Sequence, residues 1–288
     1  MAFTATSARC EDLAERHEQN AELRIVGQVP VDRPRPAENS RVRFSLLGSL
    51  QVWKGVRDCT PKAPKVLQVL ALLLVRANQV VGTDSLIREL WGEDAPRSAL
   101  TTLQTYVSQL RRLIEQERLA GGDEILITRS PGYLLRVGSD QLDLRRFDEL
   151  RQRGRRDFAE GRFADAAVHL RSALELWAET PLANIKLGPH LSAYAVDLQE
   201  QRRDTLQLAI ESEMELGRHR ELIAELRSLA ARYASDEWFC RQLMRALDSS
   251  GRRGDALVAY QELRTTLRDE LGIDPSRETE AVYRQLLE

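Results

Sequence analysis

The chain has 288 residues, 42% of them hydrophobic and 30% charged, and a net charge of −2, which suits an ordinary soluble protein of about two domains. No window approaches 18 uncharged apolar residues, and no basic stretch precedes an apolar core at the N-terminus. This excludes a membrane-spanning helix and a secretory signal, and the expected location is the cytoplasm. Three widely spaced cysteines, Cys10, Cys59 and Cys240, and histidines without ligand spacing argue against a disulfide framework, a metal site or any cofactor.

Residues 1–40 are polar, carry Arg33-Pro34-Arg35-Pro36, and read as a disordered tail with at most a short helix at Glu11–Leu23. From Arg41, charged or polar residues alternate with apolar ones, Gly48 interrupts them, and a further strand runs through Val52–Cys59, so 41–60 is expected to be a small antiparallel sheet. Pro61 and Pro64 punctuate the chain before Val66, Leu67, Leu70, Leu73 and Leu74, which fall at helical spacing. Val80-Val81-Gly82 reads as a break, after which Thr83 and Asp84 are placed to cap a helix ending at Trp91-Gly92.

The next helix, 98–117, is the informative one. Advancing ~100° per residue puts Ser98, Thr101, Thr102, Thr105, Gln109 and Arg112 opposite an apolar stripe of Leu100, Leu103, Val107, Leu110 and Ile114. Hydroxyls and an amide can bond base edges, the threonine methyl can meet a thymine methyl, and a guanidinium can pair with guanine or phosphate. The same residue types also suit an ordinary solvated helix face. A β-hairpin follows at 124–137, two apolar strands about Ser130-Pro131-Gly132. Arg129 and Ser130 stand at its tip, where a hairpin beside a helix meets the minor groove; a plain solvated arginine is the other reading. Lys62, Lys65, Arg97 and Arg111 lie in loops or at helix flanks suited to phosphate, or merely to solvent.

From Asp143 onward strand signals vanish. Helices are expected near 143–159, 163–178, 190–216, 219–233, 236–249, 253–270 and 276–288. A local pattern recurs at Gly161-Arg162, Gly217-Arg218 and Gly251-Arg252. The last two are 34 residues apart, the tetratricopeptide period, and the first two are 56 apart, an atypical or inserted repeat; a non-repeating bundle is the alternative. Residues 41–140 hold 14 basic and 10 acidic side chains, a net of +4, whereas 141–288 hold 23 and 27, a net of −4. A mildly basic unit beside an acidic one fits a DNA reader joined to a protein-facing module.

The order sheet, helix, helix, polar-faced helix, hairpin resembles the winged helix of OmpR-type response regulators over roughly 41–138. The hairpin pattern Thr-Arg-x-x-Gly-Tyr-x-Leu is met by Thr128, Arg129, Gly132, Tyr133 and Leu135. The ending Leu267-Arg268-Asp269-Glu270-Leu271-Gly272-Ile273-Asp274-Pro275-Ser276 resembles the close of the bacterial transcriptional activation domain. The two together over about 41–288 resemble the Streptomyces antibiotic regulatory proteins. The fold expected is mainly α with an α+β N-terminal domain: a disordered tail (1–40), an OmpR-type winged helix-turn-helix (41–140) and an all-α tetratricopeptide-like activation domain (141–288).

The resemblance implies a non-enzymatic activator of antibiotic biosynthesis genes, nucleoid-associated. Helix 98–117 would read the major groove, hairpin 124–137 the neighbouring minor groove, and helix 83–91 would position the reader, with Trp91 near a phosphate or simply packed in the core. Tyr133 would pack the wing. Two protomers would bind double-stranded promoter DNA head to tail on direct repeats and recruit RNA polymerase holoenzyme through contacts that include its sigma subunit. No Gly-x-x-x-x-Gly-Lys-[Ser/Thr] loop is present, so no ATPase module is expected. The competing reading is a protein-interaction adaptor, in which the helical repeats do the work and the winged helix serves as a docking module.

Overall fold

The computed structural model describes residues 42–119 and 125–288. The expected tail and its short helix, with Cys10, lie outside the described residues. The chain opens with β1 (Val42–Ser45), β2 (Gln51–Lys54) and β3 (Arg57–Asp58), an antiparallel sheet in that order. Alternation explains β1: Val42 and Phe44 are buried and Arg43 is exposed. Helix α1 (Pro64–Val75) starts with proline at a position that lacks a hydrogen-bond partner in any case. Every residue from Val66 to Leu74 is buried, so α1 is the central rod of the N-terminal half.

The Val80-Val81-Gly82 segment is not a break but a strand, β4 (Val80–Gly82), paired antiparallel with the hairpin. Three residues whose partner lies fifty positions away carry no local signal. Helix α2 (Thr83–Trp91) follows at once. Its N-cap is Gly82, so the expected Thr83 cap is corrected: the Thr83 hydroxyl and backbone N–H both donate to the Pro131 carbonyl, at 3.2 Å each. Helix α3 (Ala99–Gln116) is the polar-faced one, and β5 (Leu126–Arg129) and β6 (Gly132–Leu135) form the hairpin. The sheet order is β4-β6-β5. Gly132 faces Gly82 across the pair, and a Cβ on it would lie 1.8 Å from the Val81 carbonyl oxygen, so only glycine allows β4 to close the sheet.

A 3₁₀ turn (Ser139–Gln141) leads into seven helices: α4 (Asp143–Ala159), α5 (Phe163–Leu174), α6 (Pro189–Glu215), α7 (His219–Arg232), α8 (Glu237–Ser249), α9 (Arg253–Leu271) and α10 (Arg277–Leu287). The recurring glycines have one job. Gly161, Gly217 and Gly251 end α4, α6 and α8 with φ of 74°, 73° and 75°, and the next helix begins two residues later. The helix expected over 163–178 stops at Leu174. Residues 175–188 form a long connection, and with the 27-residue α6 they account for the stretched first interval.

That connection is where the two halves meet. One apolar core runs from Val42 to Leu198 and takes in Leu46, Leu47 and Leu50 together with Trp177, Leu182 and Leu191; a second is built by α6–α10, from Ile210 to Leu286. The loop 46–50 pairs with the connection through backbone bonds from Ala178 to Leu47 and from Leu182 to Leu46. Asn184 accepts from the Leu50 N–H (2.7 Å) and donates to its carbonyl (3.0 Å). Cys240 is buried beneath α9, and burial pushes its thiol up to about 12, so it is packing material. No described helix is long and apolar enough to cross a membrane.

Candidate nucleic-acid interface

Helix α3 presents its side chains as helical geometry requires. Ala99, Leu103, Val107 and Leu110 are buried, the last three in the core shared with α1, with Tyr106, Leu113 and Ile114 half-buried. Ser98, Thr101, Thr105, Gln109 and Arg112 are exposed and Thr102 is half-buried. Thr105 donates its hydroxyl to the Thr101 carbonyl (3.0 Å). Two members of this face were missed in the sequence, Gln104 and Ser108, both exposed. Measured from Leu103 they lie ~100° and ~140° round the helix, so the same periodicity holds them. Leu100 is a correction: placed on the apolar stripe, it is 48% exposed, at the wing-side edge of the polar face.

The wing is tied to this helix. Arg111, half-buried, donates from Nε to the Leu126 carbonyl (3.3 Å) and from Nη2 to the Thr128 hydroxyl (2.7 Å). Arg129 and Ser130 are exposed at the turn beyond β5, and Tyr133 is buried in β6, as a wing-packing residue should be. On the other flank the Trp91 and Tyr106 rings stack at 6.4 Å, clamping the end of α2 to α3. Lys65 reaches from α1 over the Trp91 ring (5.9 Å) and donates to the Leu90 carbonyl and to Gln68 Oε1. Burial, followed by the charge of Lys186, pulls its ammonium below the usual lysine range. Lys65 thus satisfies a carbonyl at the C-terminal end of α2, where a cation is favoured.

Lys62 and Arg97 are exposed, in the loops before α1 and α3. Among the described residues, Lys62, Arg97, Arg112 and Arg129 face no carboxylate at ion-pair distance, in contrast with Arg57, which is paired to Glu117 at 3.0 Å. The structure therefore brings a polar helix face, a wing tip and uncompensated cations onto one unit. It assigns Lys65, Trp91 and Arg111 to holding that unit's parts together. Among the described residues no three His, Cys, Asp or Glu side chains gather as a metal-holding group.

The family described as "Transcriptional regulatory protein, C terminal" matches residues 58–135, and "Bacterial transcriptional activator domain" matches 142–287. The protein described as regulatory protein DnrI of Streptomyces peucetius is 36% identical over 250 residues, covering 85% of this chain and 92% of its own length. The chain belongs to the Streptomyces antibiotic regulatory protein family of transcriptional activators. Other relatives of this family member are longer. Regulatory protein AfsR of Streptomyces coelicolor is 32% identical and is covered over only 25% of its length. Transcriptional regulatory protein EmbR of Mycobacterium tuberculosis is 35% identical and is covered over 63%. A solved structure of Mycobacterium tuberculosis EmbR in complex with a low-affinity phosphopeptide superposes with a TM-score of 0.78 at 34% identity, over 86% of this chain and 65% of that one. The match runs through both the winged helix and the helical half.

Proposed function

We propose that this family member activates transcription by binding promoter DNA directly, with residues 41–140 as the reader and 141–288 as the part that meets the transcription machinery. One observation carries the reading: the outer face of α3 is lined by hydroxyl, amide and guanidinium groups, and the arginines of that face and of the wing tip have no carboxylate partner among the described residues. Uncompensated cations beside a helix face of base-reading chemistry are what a phosphate-flanked major groove complements. Ser98, Thr101, Thr102, Thr105, Gln109 and Arg112 take the bases, joined by Gln104 and Ser108. Arg129 and Ser130 take the minor groove. Lys62 and Arg97 neutralise phosphates. Lys65, Trp91 and Arg111 act on the backbone by fixing α2 and the wing against α3.

Family membership supports the finer reading: two copies head to tail on direct repeats, recruiting RNA polymerase and its sigma subunit, in the nucleoid, by binding rather than catalysis, at genes of antibiotic or other secondary metabolism. The test is selection of bound duplexes from a random DNA library at near-physiological salt. Recovery of a tandem repeat with a spacing near one helical turn is the expected outcome. Salt-sensitive binding without a motif overturns it and favours the adaptor reading, in which α4–α10 do the work.

A further inference from the structure

Most side chains of the polar face of α3 are exposed, and at the far end of α2 the opposite holds. Glu89 lies in the last turn of α2 with 2% of its surface exposed. Its carboxylate accepts from the backbone N–H groups of Gly188 (2.6 Å), His190 (2.8 Å) and Leu191 (3.1 Å). These are the unpaired donors at the start of α6, the longest helix described, whose own N-cap residue, Gly188, has no side chain to cap with. A helix normally caps itself from the adjacent residue. Here the cap comes from 99 residues earlier, across the boundary between the two halves.

A second observation is independent of the hydrogen bonds. A Cβ on Gly188 would lie 2.1 Å from the Glu89 carbonyl oxygen, so any side chain there forces α6 off α2. Gln68 of α1 donates to the same carbonyl oxygen at 2.8 Å, which makes Glu89 the meeting point of α1, α2 and α6. The opposite end of α2 holds the wing turn through Thr83 and Pro131, and its last residue stacks on α3. One nine-residue helix thus touches the wing, the reading helix and the helical half.

We propose that Glu89 is a positioning residue that fixes the angle between the DNA reader and the helical half, so that two copies on a tandem repeat present α6–α10 in one set orientation. The proposal rests on the DNA-reading function above. A reader held this way binds one repeat through the winged helix alone, but binds a tandem cooperatively only while Glu89 holds α6.

The test uses the full chain and two variants, Glu89→Gln and Gly188→Ala. Amide hydrogen exchange at Gly188, His190 and Leu191 is expected to quicken by about tenfold in both, while amides in α8 and α9 stay protected and report an intact fold. Affinity for a single repeat is expected to hold within about threefold, while cooperativity on the tandem falls by about tenfold. Equal losses on single and tandem sites, tracking the unfolded fraction, overturn the proposal and leave Glu89 a stabilising residue only. Unchanged exchange and unchanged cooperativity overturn it as well. If the unaltered chain prefers no duplex at all, the DNA-reading function has failed, and the exchange measurement by itself still decides whether Glu89 holds α6.

Discussion

The outer face of α3 and the seam between the two halves use similar residue types to opposite ends. Along α3, Thr101, Gln104, Ser108, Gln109 and Arg112 are exposed. In the seam, Glu89, Asp143 and Asn184 each bond two or more backbone groups of a segment 96 to 134 residues away. A buried polar group must be satisfied inside the chain, so the seam's partners are fixed and its geometry is rigid. A polar group left in water keeps its bonding capacity for whatever docks there. The difference gives a rule for reading this molecule: substitutions in the sheet act on the fold, those in the seam on how the two halves are held, and those on the outer face of α3 are expected to leave the fold unchanged.

The strongest attempt to break that rule is Gly132→Ala. The added Cβ meets the Val81 carbonyl oxygen at 1.8 Å, and backbone cannot move aside as a flexible side chain can. The variant is expected to lose about 3 kcal/mol of stability, with β4 separating from β6, and to lose DNA affinity only in proportion to the folded fraction. Chemical denaturation beside a binding isotherm checks this. A variant of full stability that no longer binds would make the wing turn itself a contact, and the two regions would not separate as argued.

The seam has a further signature, in pH. Asp143 opens α4 and accepts from the N–H groups of Leu46 (2.7 Å) and Leu47 (3.0 Å). Burial raises its carboxyl from 3.8 to about 6, against the lowering effect of those N–H groups. The folded chain therefore binds this proton more tightly than the unfolded chain does. The stability it contributes is complete below about pH 4 and is lost as the pH rises through about 6, at most about 3 kcal/mol in all. Thermal unfolding of the unaltered chain and of Asp143→Asn, compared from pH 4 to 7, is expected to show the unaltered chain losing ground steadily over that window. A constant difference between the two would mean that the carboxylate stays charged throughout.

Much of this was legible in the sequence, and what was not has two kinds of cause. Periodicity located every helix from α4 to α10 to within a few residues, since each buries a stripe of its own. The Gly-Arg pattern marked the joints because a left-handed turn needs glycine there. The failures at β4 and Thr83 involve partners distant in sequence, whereas the helix carried past Leu174 and the misplaced Leu100 are local. Three-residue β4 exists only because β6 is there to pair with it. Thr83 looked like a cap until its hydroxyl found Pro131. Glu89, at the end of a short amphipathic helix, carries no local sign of its burial, because the groups it binds start at Gly188, which no local pattern connects to it. Of the candidate interface, most of the polar face of α3 was readable from angle, though Gln104 and Ser108 were missed. Lys65 and Arg111 were readable only as exposed cations, because their holding bonds to Leu90, Leu126 and Thr128 are tertiary.

Two substitutions on α3 sharpen the comparison from the other side. Arg112 is exposed and, among the described residues, unpaired, so Arg112→Ala is expected to leave the unfolding midpoint unchanged while weakening specific binding by about 1–3 kcal/mol. Competition binding on the selected site reads this directly. An unchanged isotherm removes Arg112 from the reading face.

The smallest effect belongs to Leu100. Measured from Leu103 it lies ~60° round the helix, on the side of Arg111, whose guanidinium holds β5. It therefore stands at the edge of the polar face, one turn before Gln104. A half-exposed leucine offers no hydrogen bond, and the apolar group that a major groove presents is the thymine methyl. Withdrawing one such contact from water contributes about 1 kcal/mol. Because Leu100 is already exposed, Leu100→Ala should not change stability. Replacing thymine by uracil at successive positions of the selected site removes one methyl at a time. The unaltered chain is expected to lose up to fivefold in affinity at one position, and Leu100→Ala to be indifferent there. A chain that binds every uracil-substituted site as well as the parent makes no methyl contact at this residue, and Leu100 then belongs with the solvated residues of the helix rather than with its reading face.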